Sequence, residues 1–347
     1  MEAIPTAVSP APRAASARRA AGRTLAAAAV LLLAVLLSLA VGARPVAPGQ
    51  VLDALMGHGS GGDASVVREM RLPRTVVGLL VGAALALAGT ALQGITRNPI
   101  ADPGVLGIGH GAAVGVVLAI SLADVRSAAG WVWWAFAGAA LAAVAVYTIA
   151  ARGRDGASPV KLALAGAAVN ALLVSVVTGV LTAKASVLEQ FRFWQVGALS
   201  GAKAEVIGQL WPFLLVGAVM VVSVARGLDA LALGEDVATG LGRNVAAVRI
   251  VGGLGATVLT GAGVAAAGPI AFVGLAVPHM ARALVGGDHR RLLPMAALLG
   301  PAVLLLADTA GRILFPPGEV PSGVMTALLG VPFLVALVRR RQAGGAW

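Results

Sequence analysis

The 347-residue sequence contains no cysteine, three lysines, a single tyrosine and 15 acidic residues. Without cysteine there is no disulfide, no thiolate metal ligand and no thiol redox chemistry. The four histidines are scattered, with no metal-ligand spacing among them. No lysine follows a glycine, so the Gly-Lys-Ser/Thr heart of a phosphate-cradling nucleotide loop is missing. Work driven by ATP has to come from a partner. The relay of intramembrane carboxylates that a proton-coupled carrier needs is lacking too. Asp308 is the one acid near an apolar run, and Arg312 follows one helical turn later, where the two neutralise each other.

What is present is apolar surface. Hydrophobic residues make up 59% of the chain, charged residues 12%, and the mean hydropathy is +0.91. Short charged islands separate ten apolar, glycine-dotted stretches, at 24–41, 75–95, 105–122, 131–150, 160–183, 206–225, 245–267, 270–285, 292–307 and 323–338. A helix spanning the hydrocarbon layer takes roughly 20 apolar residues, so the pattern predicts an all-α integral membrane protein with about ten spans. The 46 glycines suit such a bundle, because small residues let helix backbones approach closely. The formal charge of +11 does not point to nucleic acid, since the basic residues flank apolar stretches instead of gathering on one soluble face.

With the N-terminus inside, 17 Lys and Arg fall on inward segments and nine outside, the bias expected for cytoplasmic N- and C-termini. Arg339, Arg340 and Arg341 form the clearest inward anchor. Residues 1–23 read as a basic cytoplasmic tail, 24–341 as one transmembrane domain and 342–347 as a C-terminal tail. Val41-Gly42-Ala43 is compatible with a signal-peptide cleavage site, but the run before it is long enough to span, so an uncleaved first helix is the reading adopted. Trp131, Trp133, Trp134, Trp194 and Trp211 are expected as interfacial anchors.

Pro99-Ile100-Ala101-Asp102-Pro103-Gly104 and Pro269-Ile270-Ala271-Phe272-Val273-Gly274 share Pro-Ile-Ala-x-x-Gly at an offset of 170 residues. Five spans lie between the copies, an odd number, so the halves are expected to be inverted, as in transporters with Gly/Pro-broken segments in matching positions. Between the sixth and seventh spans, residues 229–244 predict two stubby helices. Gly234 stops the first, Glu235 and Asp236 favour the start of the second, and Gly240 and Gly242 end it. An amphipathic connector and a knob gripped by another protein both fit that pattern.

This loop resembles the cytoplasmic coupling loop of the iron–siderophore and cobalamin ABC importer permeases, the FecCD-type family. Arg71-Leu72-Pro73-Arg74, Gln93 with Asn98-Pro99-Ile100-Ala101-Asp102-Pro103-Gly104, Gly268-Pro269-Ile270-Ala271-Phe272-Val273-Gly274 with Pro278-His279, and Asp308 through Arg312 with Glu319-Val320-Pro321 match the same family, in order, from about residue 66 to the C-terminus. The resemblance implies two permease chains side by side, identical or paralogous, with a path between them. Two separate ABC ATPase subunits would bind ATP and magnesium, and an extracytoplasmic binding protein would deliver ferric siderophore, or cobalamin or haem, across a bacterial cytoplasmic membrane. This chain is then a transport subunit with no cofactor of its own. Gly234, Glu235, Asp236, Ala238, Gly240, Leu241 and Gly242 become the ATPase-coupling residues. Arg71, Arg74 and Arg312 become docking residues for the binding protein, against the alternative of snorkelling to the headgroups. His279 beside Pro278 is read as a partner for a freed carbonyl and not as an iron ligand. Asn170 and Thr326 are path-lining candidates by location. A partner-independent secondary carrier is the rival class.

Overall fold

The computed structural model describes residues 13–42, 45–58, 61–125, 127–152, 159–201, 203–316 and 318–343. The first half of the basic tail, Ala43, Arg154 and the last four residues of the C-terminal tail lie outside them. Among the described residues every regular element is helical. The chain runs through α1 (Arg13–Ala40), α2 (Pro48–Met56), α3 (Gly62–Ser65), α4 (Leu72–Thr96), α5 (Ile108–Ala123), α6 (Ala128–Ala150), α7 (Pro159–Ala183) and α8 (Ala185–Gln195). It continues through α9 (Ala204–Ser223), α10 (Ala225–Ala232), α11 (Glu235–Gly240), α12 (Val245–Ala267), α13 (Val273–Val285), α14 (His289–Leu314) and α15 (Ser322–Ala343). A π-helical stretch, Val66–Arg71, runs into α4, and a 3-10 turn, Pro103–Leu106, precedes α5.

Among the described residues seven helices are long and apolar enough to cross a membrane, and three shorter apolar helices, at 108–123, 273–285 and 322–336, accompany them. These ten coincide with the ten apolar stretches of the sequence, with one physical difference. α5 and α13 have 16 and 13 residues, so at 1.5 Å per residue they are about 24 and 20 Å long, less than the ~30 Å hydrocarbon layer. Each is preceded by an irregular proline- and glycine-containing segment.

The centre of the bundle is α4 with α12 and α14 against it. Buried residues fill 78% of the apolar window of the helix containing α4, against 22% for α1 and α7. Glycine permits this closeness. A Cβ on Gly82 of α4 would lie 2.6 Å from Pro301 Cα of α14, so no larger residue fits without moving a helix. Both partners are antiparallel to α4. Gly78 abuts Leu305 and Gly94 abuts His289 on α14, while Ile95 meets Gly252 and Leu85 meets Gly263 on α12. The bundle therefore has two ends. One carries Arg71, Arg74 and Arg312, where α4 begins and α14 finishes. The other carries α10 and α11, where α4 finishes and α12 and α14 begin.

Three segments outside the ten apolar stretches are also helical. α2, α3 and the π-helical stretch pack Val46, Val51, Ala54 and Val67 against Leu39 of α1. α8 buries Val187 and Phe191. The described half of the basic tail continues α1 as helix back to Arg13.

Candidate functional site

At the knob end, Gly234 takes φ 116°, a backbone conformation that side-chain-bearing residues rarely adopt, and this allows α11 to turn directly off α10. Glu235 and Asp236 occupy the first turn of α11, where the helix dipole favours acids. Gly240 is its last helical residue and Gly242 follows at φ 72°. The knob is fastened from below. Leu228, Leu231 and Ala238 pack with Val248 of α12 and Ile95 of α4, and Arg249 of α12 forms an ion pair with Glu235. Ala238 is fully buried, so its side chain anchors the knob and cannot touch a partner, a correction to its reading as a contact. Leu233, just before the turn at Gly234, and Val237 and Leu241, one helical turn apart after it, are exposed. Behind the knob, Asp229 accepts from the His289 backbone N–H and faces His289 Nδ1, both at 2.7 Å.

The arginine end is a buried polar cluster. Arg74 grips Asp308 with two parallel hydrogen bonds, Nε and Nη2 each 2.9 Å from a carboxylate oxygen, and donates a third from Nη1 to Glu319 at 2.7 Å. Arg312 donates to the Ser38 carbonyl at 3.0 Å and to Thr309 Oγ1 at 3.0 Å, with its Nε 3.4 Å from Asp308. Arg71 donates to the Leu39 carbonyl at 2.8 Å, and the hydroxyls of Ser38 and Thr75 are 2.8 Å apart. The sequence pairs Asp308 with Arg312. The structure makes Arg74 its principal partner, because the antiparallel packing of α4 on α14 brings a fork-shaped guanidinium across from 234 residues away. Arg71 and Arg312 are buried, and Arg74 is about one-tenth exposed with all three bonds made inside the chain.

Midway between the ends the two echo segments meet. Pro99–Gly104 turns back towards the bundle after α4, and the His279 ring of α13 bonds the Pro99 carbonyl through Nε2 at 2.7 Å. The histidine does serve an otherwise free carbonyl, although not the one released by Pro278. That one belongs to Gly274, four residues earlier, and Gly89 of α4 lies so near it that a Cβ there would be 1.8 Å away. Gly274 also sits against Pro103 and Asp102. Phe272, at φ 69°, begins α13 and packs on Gly330 of α15. Irregular backbone at this depth is tolerated where it is covered by protein or lines a cavity, and here it does both.

The cavity at this junction measures ≈440 Å³ and is lined by both broken segments, by Phe191, Trp194 and Gln195 of α8, and by Thr260 of α12. Its polar groups are few. Asp102 accepts from the Gly104 N–H at 2.8 Å, and burial holds it among apolar walls. Thr260 is buried with its hydroxyl unpartnered. His110 Nδ1 is 3.0 Å from Asn170 Oδ1, and Asn170 also donates to the Gly104 carbonyl at 3.4 Å. Asn170 thus braces the wall from behind. Thr326 is buried on α15, bonded to the Gly323 carbonyl at 3.0 Å, and lines no part of this cavity. Trp194 lies near the Phe191 ring and lines the cavity. α8 and Thr260 were missed by the sequence reading, which named Asp102 only as part of the Pro99–Gly104 motif; for α8 the hint was the Val187/Phe191 spacing of four. Among the described residues no group of three His, Asp or Glu could hold a metal ion. The set offers few and weak polar handles.

Comparison with known proteins fits this geometry. The FecCD transport family matches residues 30–340. The chain is 44% identical over 311 residues to the ferric enterobactin transport system permease protein FepD of Escherichia coli, covering 89% of this chain and 92% of that one. It is 40% identical over 309 residues to the iron(3+)-hydroxamate import system permease protein FhuB of Bacillus subtilis (89% and 80% covered). It is 42% identical over 278 residues to the cobalamin import system permease protein BtuC of Halobacterium salinarum (80% and 74%). Among solved structures, a metal-chelate-type ABC transporter in an inward-facing conformation superposes with a TM-score of 0.79 at 29% identity, covering 93% of this chain and 99% of that one. A bundle of apolar helices with broken half-helices at its centre and a rigid knob at one end is therefore a multi-pass permease of the ABC importer class, and the chain belongs to the FecCD transport family.

Proposed function

We propose that this chain is the permease subunit of an importer that carries a ferric siderophore inward across a bacterial cytoplasmic membrane. In this reading the ten apolar helices all lie in the bilayer, α5 and α13 as half-spans, with both termini and the knob on the cytoplasmic side and the arginine end outside. Two permease chains flank the path. A separate ATPase, holding ATP and magnesium, closes on the knob, and a binding protein delivers cargo at the arginine end. The observation that carries the proposal is the knob itself: two short helices locked to α4 and α12 by Ala238, Leu231 and the Glu235–Arg249 pair, with Leu233, Val237 and Leu241 presented outward. A braced lever of this kind transmits a push, where a loose loop would absorb it. The antiparallel contact of α4 with α12, each followed by a broken segment, supports the inverted-repeat reading.

The docking role of Arg71, Arg74 and Arg312 takes an indirect form. The buried Arg71 and Arg312 stiffen the rim, and Arg74 exchanges the partly exposed Glu319 carboxylate for one on the binding protein. Relatives named for enterobactin, hydroxamate and citrate favour an iron chelate as cargo; the cobalamin relative supports the second reading. Replacing Val237 and Leu241 with aspartate is expected to abolish uptake and ATPase co-purification while insertion and folding stay normal. Undiminished transport by that variant would remove the coupling role. Competition of labelled uptake by ferric siderophores but not by cobalamin is the expected cargo result.

A further inference from the structure

Where α9 gives way to α10, and the first turns of α12 and α14 come alongside, a second cavity of ≈740 Å³ opens at the knob end. Arg226, Arg243 and Arg290 line it, and no aspartate or glutamate does. All three side chains are exposed, and none makes a hydrogen bond or ion pair with the described residues. Of the acids at this end, Asp236 on α11 is exposed and lines no part of the cavity, and three others are engaged. Asp229 is bonded to His289, Glu235 to Arg249, and Asp288 caps the Arg290 backbone N–H at 2.9 Å while facing Arg291 at 3.8 Å. Three cations gathered around one concavity repel one another beyond what water and salt screen, and an anion bound among them relieves that repulsion.

The remainder of the lining says which kind of anion. Val222, Val224, Val251 and Leu293 give the cavity an apolar floor. It continues along the bundle into exposed apolar faces, Val219 and Val222 on α9 and Ile250 and Leu254 on α12. A small soluble anion would use the arginines and leave that face bare. A molecule with a negative head and long apolar chains uses both. We infer that this cavity binds the phosphodiester headgroup of an anionic phospholipid, with the guanidiniums on the phosphate and the acyl chains along α9 and α12. The carboxylates of a partner protein are the competing occupant, and the apolar run beside the arginines speaks against them.

The test measures lipid retention, so it needs neither transport nor an ATPase and stands apart from the importer reading. The full-length chain is equilibrated in mixed micelles of phosphatidylglycerol and phosphatidylcholine, and bound lipid is counted by native mass spectrometry. Preferential retention of phosphatidylglycerol is expected, falling about fivefold for each of R226Q, R243Q and R290Q. R97Q removes a charge from the same end but outside the cavity, and is expected to leave retention unchanged. Thermal unfolding of the exposed-site variants is expected to match the parent, which separates lost binding from lost folding. Equal retention of the two lipids, or retention indifferent to the three substitutions, would overturn the assignment. So would displacement of phosphatidylglycerol by millimolar inorganic phosphate, which would give the cavity to a soluble anion. A triple variant that keeps its lipid but loses a co-purifying ATPase would give it to a protein partner.

Discussion

At one end of the bundle Arg74, Arg312 and Asp308 are sealed among helices, every strong charge answered from within the chain; at the other, Arg226, Arg243, Asp236 and Arg290 stand in the open. Both ends are rich in the same residue type, yet the physics differs. A buried carboxylate between two guanidiniums sits where the dielectric is low and each missing bond is costly. An exposed arginine is screened by water and salt, and is available to something else. The sealed end therefore sets the shape of the bundle, while the open end is built for partners. Folding and function draw on arginine in opposite ways within one chain.

The most severe way to break that contrast is Asp308→Ala. It leaves Arg74 and Arg312 buried without their shared acid, and a loss of about 3–5 kcal/mol is expected. Thermal unfolding in detergent checks it, and a variant as stable as the parent would show the cluster to be hydrated. Next comes Gly82→Leu, which puts a side chain where a Cβ alone would lie 2.6 Å from Pro301 Cα. Prising α4 from α14 is expected to cost about 1–3 kcal/mol and to loosen the arginine cluster, read as faster proteolysis near Ser38. The smallest effect on stability is Glu319→Ala. That acid is about one-third exposed on its ion pair with Arg74, so its loss is expected to cost no more than about 1 kcal/mol. The same change frees one donor of Arg74, and tighter capture of the binding protein is the expected result; weaker capture would sink the exchange between carboxylates.

Much of the knob was legible because its determinants are local. Glycine at 234 and 242 and acids at 235 and 236 are short-range signals, and α10 and α11 form where they point. The arginine cluster was legible only as a set of candidates. Arg312 is four residues from Asp308 and looks like its partner on one helix, whereas the bidentate partner comes from the start of α4. The central cavity was hardly legible at all. Its echo motif was visible, but Thr260 of α12 and Gln195 of α8 enter it from distant parts of the chain, and neither residue has a local pattern that singles it out. α8 is short and polar enough to pass for a loop, and tertiary burial of Val187 and Phe191 makes it a helix.

By itself, the order of amino acids determined that the chain folds in lipid, where its apolar helices lie, and where proline and glycine interrupt them. Those outcomes depend on transfer energies and backbone preferences that act over a few neighbouring residues. Only the tertiary structure decided which arginine holds Asp308, which broken segments meet, and which arginines are left without an acid. Each of those depends on how helices pack at glycine contacts such as Gly82 on Pro301 and Gly89 on Gly274, and packing joins residues that no local pattern relates.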